Sequence, residues 1–204
     1  MRLYKDMKST VSKSTIGSLR GHIAGAKDPI VAGVAVSAVS AGLGMALSAL
    51  TLKVASRRKD FAGDRARLAK LLKRANQESA RLARYADKDI AAYQNYRDSL
   101  KRKRGIEAAL RRIIETPLEA ASSAVRGLDL CAEAVSLVPL SVASDLGAAA
   151  VLLAGSVRAI LLTVDVNLQL PIGSELRRSA GKRQRALESR ASQQVEKILR
   201  KVAV

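Results

Sequence analysis

From Pro29 to Leu52, within "DPIVAGVAVSAVSAGLGMALSALTLKVASRRK", no residue is charged, and the run closes on Arg57, Arg58 and Lys59. Its side chains are mostly Ala, Gly, Ser and Val, so a helix here invites close approach by another, with Gly42, Gly44 and Ala46 marking a candidate contact face. Over residues 60–84 the pattern changes. Phe61, Leu68, Leu72, Ala75 and Leu82 recur near helical spacing while Arg and Lys fill the gaps, which predicts an amphipathic helix with one buried stripe. A second such helix is predicted over 87–114 through Ile90, Tyr93, Ile106, Leu110 and Ile113, with an interruption around "KRKRG" at 101–105. Pro117 should end it and open the next, because proline lacks an N–H and suits a first helical turn. A third apolar element over 118–137 is expected to stop at Pro139.

The run from Asp145 to Leu168 is apolar apart from Asp145, Arg158 and Asp165. Ser144 is the expected N-cap, and the helix should be buried on most sides. Pro171 and Gly173 end it, and Ser174 is placed to cap a final basic helix whose thin apolar stripe is Leu176, Leu187, Val195, Ile198 and Leu199. No stretch alternates as a strand would. The predicted fold is all-α, a compact helical bundle around two buried small-residue helices, occupying residues 1–204 as one domain.

The uncharged stretch is long enough to span a bilayer, where about 20 apolar residues suffice. Its many small residues, Ser37, Ser40 and Ser48 among them, weaken the insertion signal relative to a Leu-rich span. From composition alone, lipid span and core helix both stand. The first 28 residues are polar or small almost throughout, so no cleavable export signal is expected.

Charge and composition narrow the chemistry. Among 204 residues, 36 are Lys or Arg and 18 are Asp or Glu, a net charge of +18 that favours anionic partners. Aromatics make up only 2% of the chain, so base-stacking recognition of single strands is disfavoured. One cysteine, Cys131, excludes an internal disulfide and fits a reducing compartment. The lone His22 and Cys131 cannot make a zinc site between them, and no metal is expected. His22 is read as a surface residue and Cys131 as core packing.

Several pieces in order carry a resemblance. "GLGMALSAL" at 42–50 is followed by "RRKDF" at 57–61, "DIAAY" at 89–93, "TPL" at 116–118 and "SDLGAAAVLLAGSVRAILLTVDVN" at 144–167. This series resembles the cyclodeaminase and methenyltetrahydrofolate cyclohydrolase family. Its members carry a Gly-rich loop, a small-residue helix with a basic end, a "DxxAF" motif and an "SDxGxA" helix. The resemblance implies a soluble, cytoplasmic, all-helical homodimer whose substrate is a one-carbon-substituted tetrahydrofolate. The reaction would be hydrolysis of the methenyl bridge or ring closure of the formimino group with loss of ammonia, neither needing a metal.

Proton transfer at a C–N bond suits a carboxylate at an apolar helix end, because partial desolvation raises its pKa toward the working range. The resemblance points to Asp145, preceded by Ser144, for that role; by position alone it could equally be a carboxylate complementing the helix dipole. Arg57, Arg58 and Lys59 match the family's basic segment and would hold the folate carboxylates or a polyglutamate tail. A solvated charge run is the plainer alternative. Gly33, Asp89 and Asn167 match further family positions and are expected at the substrate, although by position alone Asp89 could equally be an exposed helix residue and Asn167 a helix C-terminal residue satisfying local carbonyls.

The place of the Gly-rich loop reads "PIVAGVAVS", where Pro29 and Gly33 match and Val or Ala stands for the other glycines. Val at these positions restricts the backbone and fills space. Thr163 stands where the family has the Asn of "LNV". A second class of function therefore stands beside the enzyme: a catalytically silent helical scaffold whose basic surface meets an acidic partner, nucleic acid being the less favoured form.

Overall fold

Six helices follow a short 3-10 turn at Val11–Lys13 in the computed structural model, which describes residues 10–203. They are α1 (Ile16–Ala24), α2 (Gly33–Arg57), α3 (Arg65–Arg102), α4 (Ile106–Ala134), α5 (Leu140–Leu168) and α6 (Ser174–Val202). No strand occurs among the described residues, as the lack of period-two alternation predicts.

Side chains start some helices and backbone geometry stops others. The Thr15 Oγ1 accepts the Ser18 N–H at 3.1 Å before α1, and Asp64 Oδ1 accepts the Arg67 N–H at 2.9 Å before α3. α3 runs on for 38 residues, so the amphipathic pair expected over 60–84 and 87–114 begins as one helix. It breaks where Lys103 takes a φ of 53° and Gly105 a φ of 69°, inside the charged run that the sequence marked.

Pro117 breaks nothing. It lies inside α4, which continues from Ile106 to Ala134 and absorbs the separate element expected over 118–137. A helical proline removes the donor that would serve the carbonyl four residues back. That carbonyl belongs to Ile113, and the Asn167 side-chain amide on α5 donates to it at 2.8 Å. Helix α5 starts early, with Pro139 at its N-cap, so Ser144 lies in the second turn and caps nothing. Gly173 takes the N-cap of α6, and Ser174 is its first residue.

The small residues of α2 and α5 serve the contact between these two helices, which run antiparallel. A Cβ on Gly44 would sit 3.1 Å from the Ala149 carbonyl, and one on Gly127 of α4 would sit 2.6 Å from Met45 Sδ. Met45, Leu52, Leu128, Leu146 and Leu153 fill the space between, each fully buried. Along α3 and α4 the packing includes one buried carboxylate. Glu78 accepts from Ser123 Oγ at 2.6 Å and from both Nε and Nη2 of Arg126 at 3.0 Å, with Arg81 on its open side.

The expectation of two buried helices, with α5 buried on most sides, needs correction. Val36, Leu43, Leu50 and Val54 stand exposed along α2, and Val151, Leu152, Leu162 and Val166 along α5. Both helices are long and apolar enough by length and composition to cross a membrane, and about half of each apolar window is buried by the rest of the chain.

Candidate functional site

The antiparallel packing of α2 on α5 divides the sequence-predicted residues into two groups. At one end Arg58 Nη1 donates to Ser141 Oγ at 3.0 Å. At the other, a Cβ on Gly33 would lie 3.6 Å from Thr163 Oγ1. Arg57, Arg58, Lys59, Ser144 and Asp145 belong to the first end; Gly33, Asp89 and Asn167 belong to the second. A 25-residue helix separates them, about 36 Å at 1.5 Å per residue. Within one chain they do not form one site.

The basic end is solvated. Arg58 is engaged in a two-point pair with Asp60, Nη2 to Oδ2 at 2.7 Å and Nε to Oδ1 at 3.0 Å. Hydrogen bonding and then charge raise the Arg58 pKa, and the same hydrogen bond holds Asp60 below the usual carboxylate range. Arg57 and Lys59 are exposed. Ser144 and Asp145 are exposed as well, on the face of α5 that also carries Ala148 and Leu152. Asp145 is therefore not desolvated by the described residues, because α5 begins a full turn before it and it falls on the open face, while Ala143, Leu146 and Gly147 of the same turn face inward.

Desolvation is found at Asp89 instead. This residue sits partly buried on α3 beside the first turn of α2, where Ala32 at the N-cap supplies no side-chain acceptor. The Asp89 carboxyl lies near the Ala35 N–H in that first turn, whose positive end favours the charged form. Burial drives its pKa up and the Ala35 N–H opposes this; the balance lies at about 6. Tyr93 stands one turn further along the same face of α3 and is 44% exposed, an open aromatic surface beside the acid.

The backbone entering α2 is held from several sides. His22 is buried, correcting the surface position expected for it, and its Nε2 donates to the Pro29 carbonyl at 2.7 Å. Arg97 Nη1 pairs with Asp28 Oδ1 at 2.9 Å, and Asp87 Oδ1 accepts the Val11 N–H at 2.8 Å. Val31, Ala35 and Ala38 pack with Ala86 and Ile90 behind them. A polar depression of about 300 Å³, lined by Asp28, Gln94, Arg97, Asp98 and Lys101, opens beside this segment. Cys131 lies in the core, 3.2 Å from Ser48 Oγ, as its packing role requires.

His22 and Thr163 are the members of this end that sequence reasoning missed. A lone histidine in a polar segment gives no sign that it braces a carbonyl seven residues on. Thr163 reads as a substituted family position, yet its hydroxyl borders Gly33. Among the described residues, no three His, Cys, Asp or Glu side chains come together as a metal site.

An all-helical fold with a partly desolvated carboxyl on α3 beside the start of the apolar α2 is an arrangement suited to proton transfer. The family follows from comparison with known proteins. The formiminotransferase-cyclodeaminase family model matches residues 21–185, and the chain belongs to that family. The crystal structure of formiminotetrahydrofolate cyclodeaminase from Thermotoga maritima has the same fold, with a TM-score of 0.88 over 95% of this chain and 98% of that one at 17% identity. No curated protein matches the sequence.

Proposed function

We propose that the chain is a folate-dependent one-carbon enzyme acting on a C–N bond, of the methenyltetrahydrofolate cyclohydrolase or formiminotetrahydrofolate cyclodeaminase type, with Asp89 as its proton-transfer group. The observation that carries this reading is the Asp89 carboxyl, partly buried against the Ala35 N–H with its pKa pushed up to about 6. A carboxyl with its pKa at about 6 is mostly ionised at neutral pH, ready to take a proton, and close enough to that pH to give it back. In the hydrolytic reaction, the carboxylate takes a proton from the water that adds to the methenyl carbon and returns it to the nitrogen that leaves, while the second water proton is released to solvent as the formyl carbonyl forms. In the deaminating one, N10 adds to the carbon of the protonated formimino group, and the carboxylate takes the proton from N10 and passes it to the nitrogen that leaves as ammonia. Each cycle ends with Asp89 in its starting state.

Family membership supports the substrate class, and the surroundings of Asp89 suit it. Tyr93 offers a ring face to an aromatic substrate, and the Cβ-free Gly33 leaves the start of α2 open. Asn167, whose Nδ2 is held by the Ile113 carbonyl, keeps its amide oxygen for a substrate N–H. The tetrahydrofolate is substrate rather than resident cofactor, and the chemistry calls for no metal. A cytoplasmic homodimer belongs to the same reading.

The test follows the absorbance of 5,10-methenyltetrahydrofolate and ammonia release from 5-formiminotetrahydrofolate, with wild type and Asp89→Asn. Turnover lost by 10²-fold or more in the variant with binding retained is the expected result. An unaffected rate, or no turnover and no binding of either folate by the wild type, overturns it.

A further inference from the structure

The single histidine of the chain holds the backbone that returns from α1. Ala26 takes a φ of 46°, which turns the chain back after Gly25, and the Lys27 N–H reaches the His22 carbonyl at 3.4 Å. Two residues further on, the Pro29 carbonyl accepts from His22 Nε2 at 2.7 Å. A carbonyl only accepts, so Nε2 carries the hydrogen, and it does so in the neutral and the protonated ring alike.

The neighbouring residue is held from the other side. Arg97 of α3 pairs with Asp28, Nη1 to Oδ1 at 2.9 Å. Asp28 and Pro29 are thus fixed between α1 and α3, just before α2 begins at Gly33. Ala32 caps that helix with no side-chain acceptor, so the free N–H groups of its first turn are aimed by the placement of the entering backbone. Asp89 lies near one of them, that of Ala35.

We propose that His22 is a positioning residue for the reaction: its ring, with Arg97 on the opposite side, fixes Asp28 and Pro29 so that the first turn of α2 stands against the Asp89 carboxyl. The proposal rests on the assignment of Asp89 as the proton-transfer group and adds what sets its surroundings.

The influence of a helix start falls off within one turn, so a displacement of the entering chain changes what Asp89 meets. Helix α2 has no charged residue before Lys53, and its N–H groups are what it offers a carboxylate. The other charged groups around this part of α3 are engaged elsewhere. Asp87 accepts the Val11 N–H, Asp28 and Arg97 hold each other, Lys88 lies over the Tyr85 ring, and Glu119 of α4 faces Tyr85. None of them enters the balance at Asp89, where burial raises the pKa and the Ala35 N–H lowers it. Loosening the segment removes the lowering contribution and leaves burial, so the pKa rises above about 6. A rate that needs the ionised carboxylate then falls near pH 6 and is recovered near pH 8.

Two experiments test this, and the first needs no turnover. Carboxyl carbons of chains labelled with carbon-13 aspartate are followed by NMR across pH, the Asp89 signal being the one lost in Asp89→Asn. Expected is an upward shift of its midpoint by about half a unit to one unit in His22→Ala, reversed in His22→Gln, whose amide donates from nearly the position of Nε2. Arg97→Gln releases the second hold and should shift the midpoint in the same direction. That pair is exposed on both sides, 40% and 58%, so its loss leaves folding nearly unchanged. An Asp89 midpoint unmoved in either variant that folds, or a shift that His22→Gln does not reverse, overturns the proposal.

The second experiment follows turnover of 5,10-methenyltetrahydrofolate across pH, corrected for the uncatalysed rate. His22→Ala should lose about two- to fivefold in kcat at pH 6 and hardly any at pH 8, with His22→Gln following the wild type at both. The glutamine also removes the ring's own titration, so an acid limb retained in that variant does not come from His22. An equal loss at every pH is the mark of a merely structural role and overturns the proposal. Shifted NMR midpoints without any folate turnover by the wild type would uphold the placement of Asp89 by His22 and reject the reaction.

Discussion

The Asn167 side chain donates to the Ile113 carbonyl at 2.8 Å, across from α5 to α4, and thereby satisfies the group that Pro117 leaves without a helical donor. One polar side chain thus permits a proline in mid-helix and ties the end of α5 to α4. Asn167→Ala should cost about 1–3 kcal/mol in urea unfolding, the cost of a carbonyl deprived of its partner. In the Pro117→Ala background, where the backbone N–H returns, the same change should cost clearly less. Equal costs in both backgrounds would show that the two residues are uncoupled.

Asp89 should set the acid limb of the pH–rate profile. With the pKa at about 6, activity that needs the ionised carboxylate rises as pH passes from 5 to 7, and this limb should vanish in Asp89→Asn.

The same shift affects stability, with the opposite sign. A folded-state pKa raised above 3.8 means that the folded chain binds the extra proton, so stability falls as pH rises through the interval between 3.8 and about 6. Above that interval the penalty is complete, on the order of 2–3 kcal/mol. Asp89→Asn should therefore be more stable than wild type at pH 8 and gain little at pH 4, measured as the denaturation midpoint at each pH. A variant destabilised at pH 8 would mean that the charged form is favourably held.

Glu78 behaves in the reverse manner. Burial pushes its pKa up, but the hydrogen bonds from Arg126 and Ser123 and the charges of Arg126 and Arg81 outweigh it, leaving the carboxyl below its ordinary value. Its stabilisation is present above the unfolded-state pKa and is lost as pH falls through the folded one. Glu78→Ala should cost about 2–4 kcal/mol at pH 7, since Ser123 and Arg126 lose their acceptor. The difference from wild type should shrink on acidification toward pH 3, as followed by thermal unfolding.

Cys131 should be inert. Burial drives its thiol up to about 11, against a weaker opposing contribution from the Ser48 hydroxyl. Reaction with a thiol reagent at pH 8 should therefore proceed only as fast as the chain opens, and should become rapid in denaturant. Fast labelling of the folded chain would contradict the packing of α2 against α4.

The helices were legible where periodicity and composition agree. The lone stripe of Leu68, Ala75 and Leu82, the small residues around Gly44, and the apolar run after Asp145 each place their helix correctly. Pro117 misled because a proline's effect on a helix depends on whether another side chain serves the freed carbonyl, and Asn167 lies 54 residues further along. The burial expected at Asp145 failed for a related reason. Its helix begins at Leu140, and no local signal distinguishes the first turn of α5 from the second.

The sequence by itself determined an all-α fold, its family, and the residue types from which a site could be made, because hydrophobic spacing and motif order are properties of the chain. Only the tertiary structure decided which of those residues meet. The antiparallel packing of α2 on α5 carries Arg57 and Asp145 to one end and Gly33, Asp89 and Asn167 to the other. Burial then falls on Asp89 rather than Asp145, since desolvation is a property of what surrounds a group, and those surroundings come from distant segments of the chain.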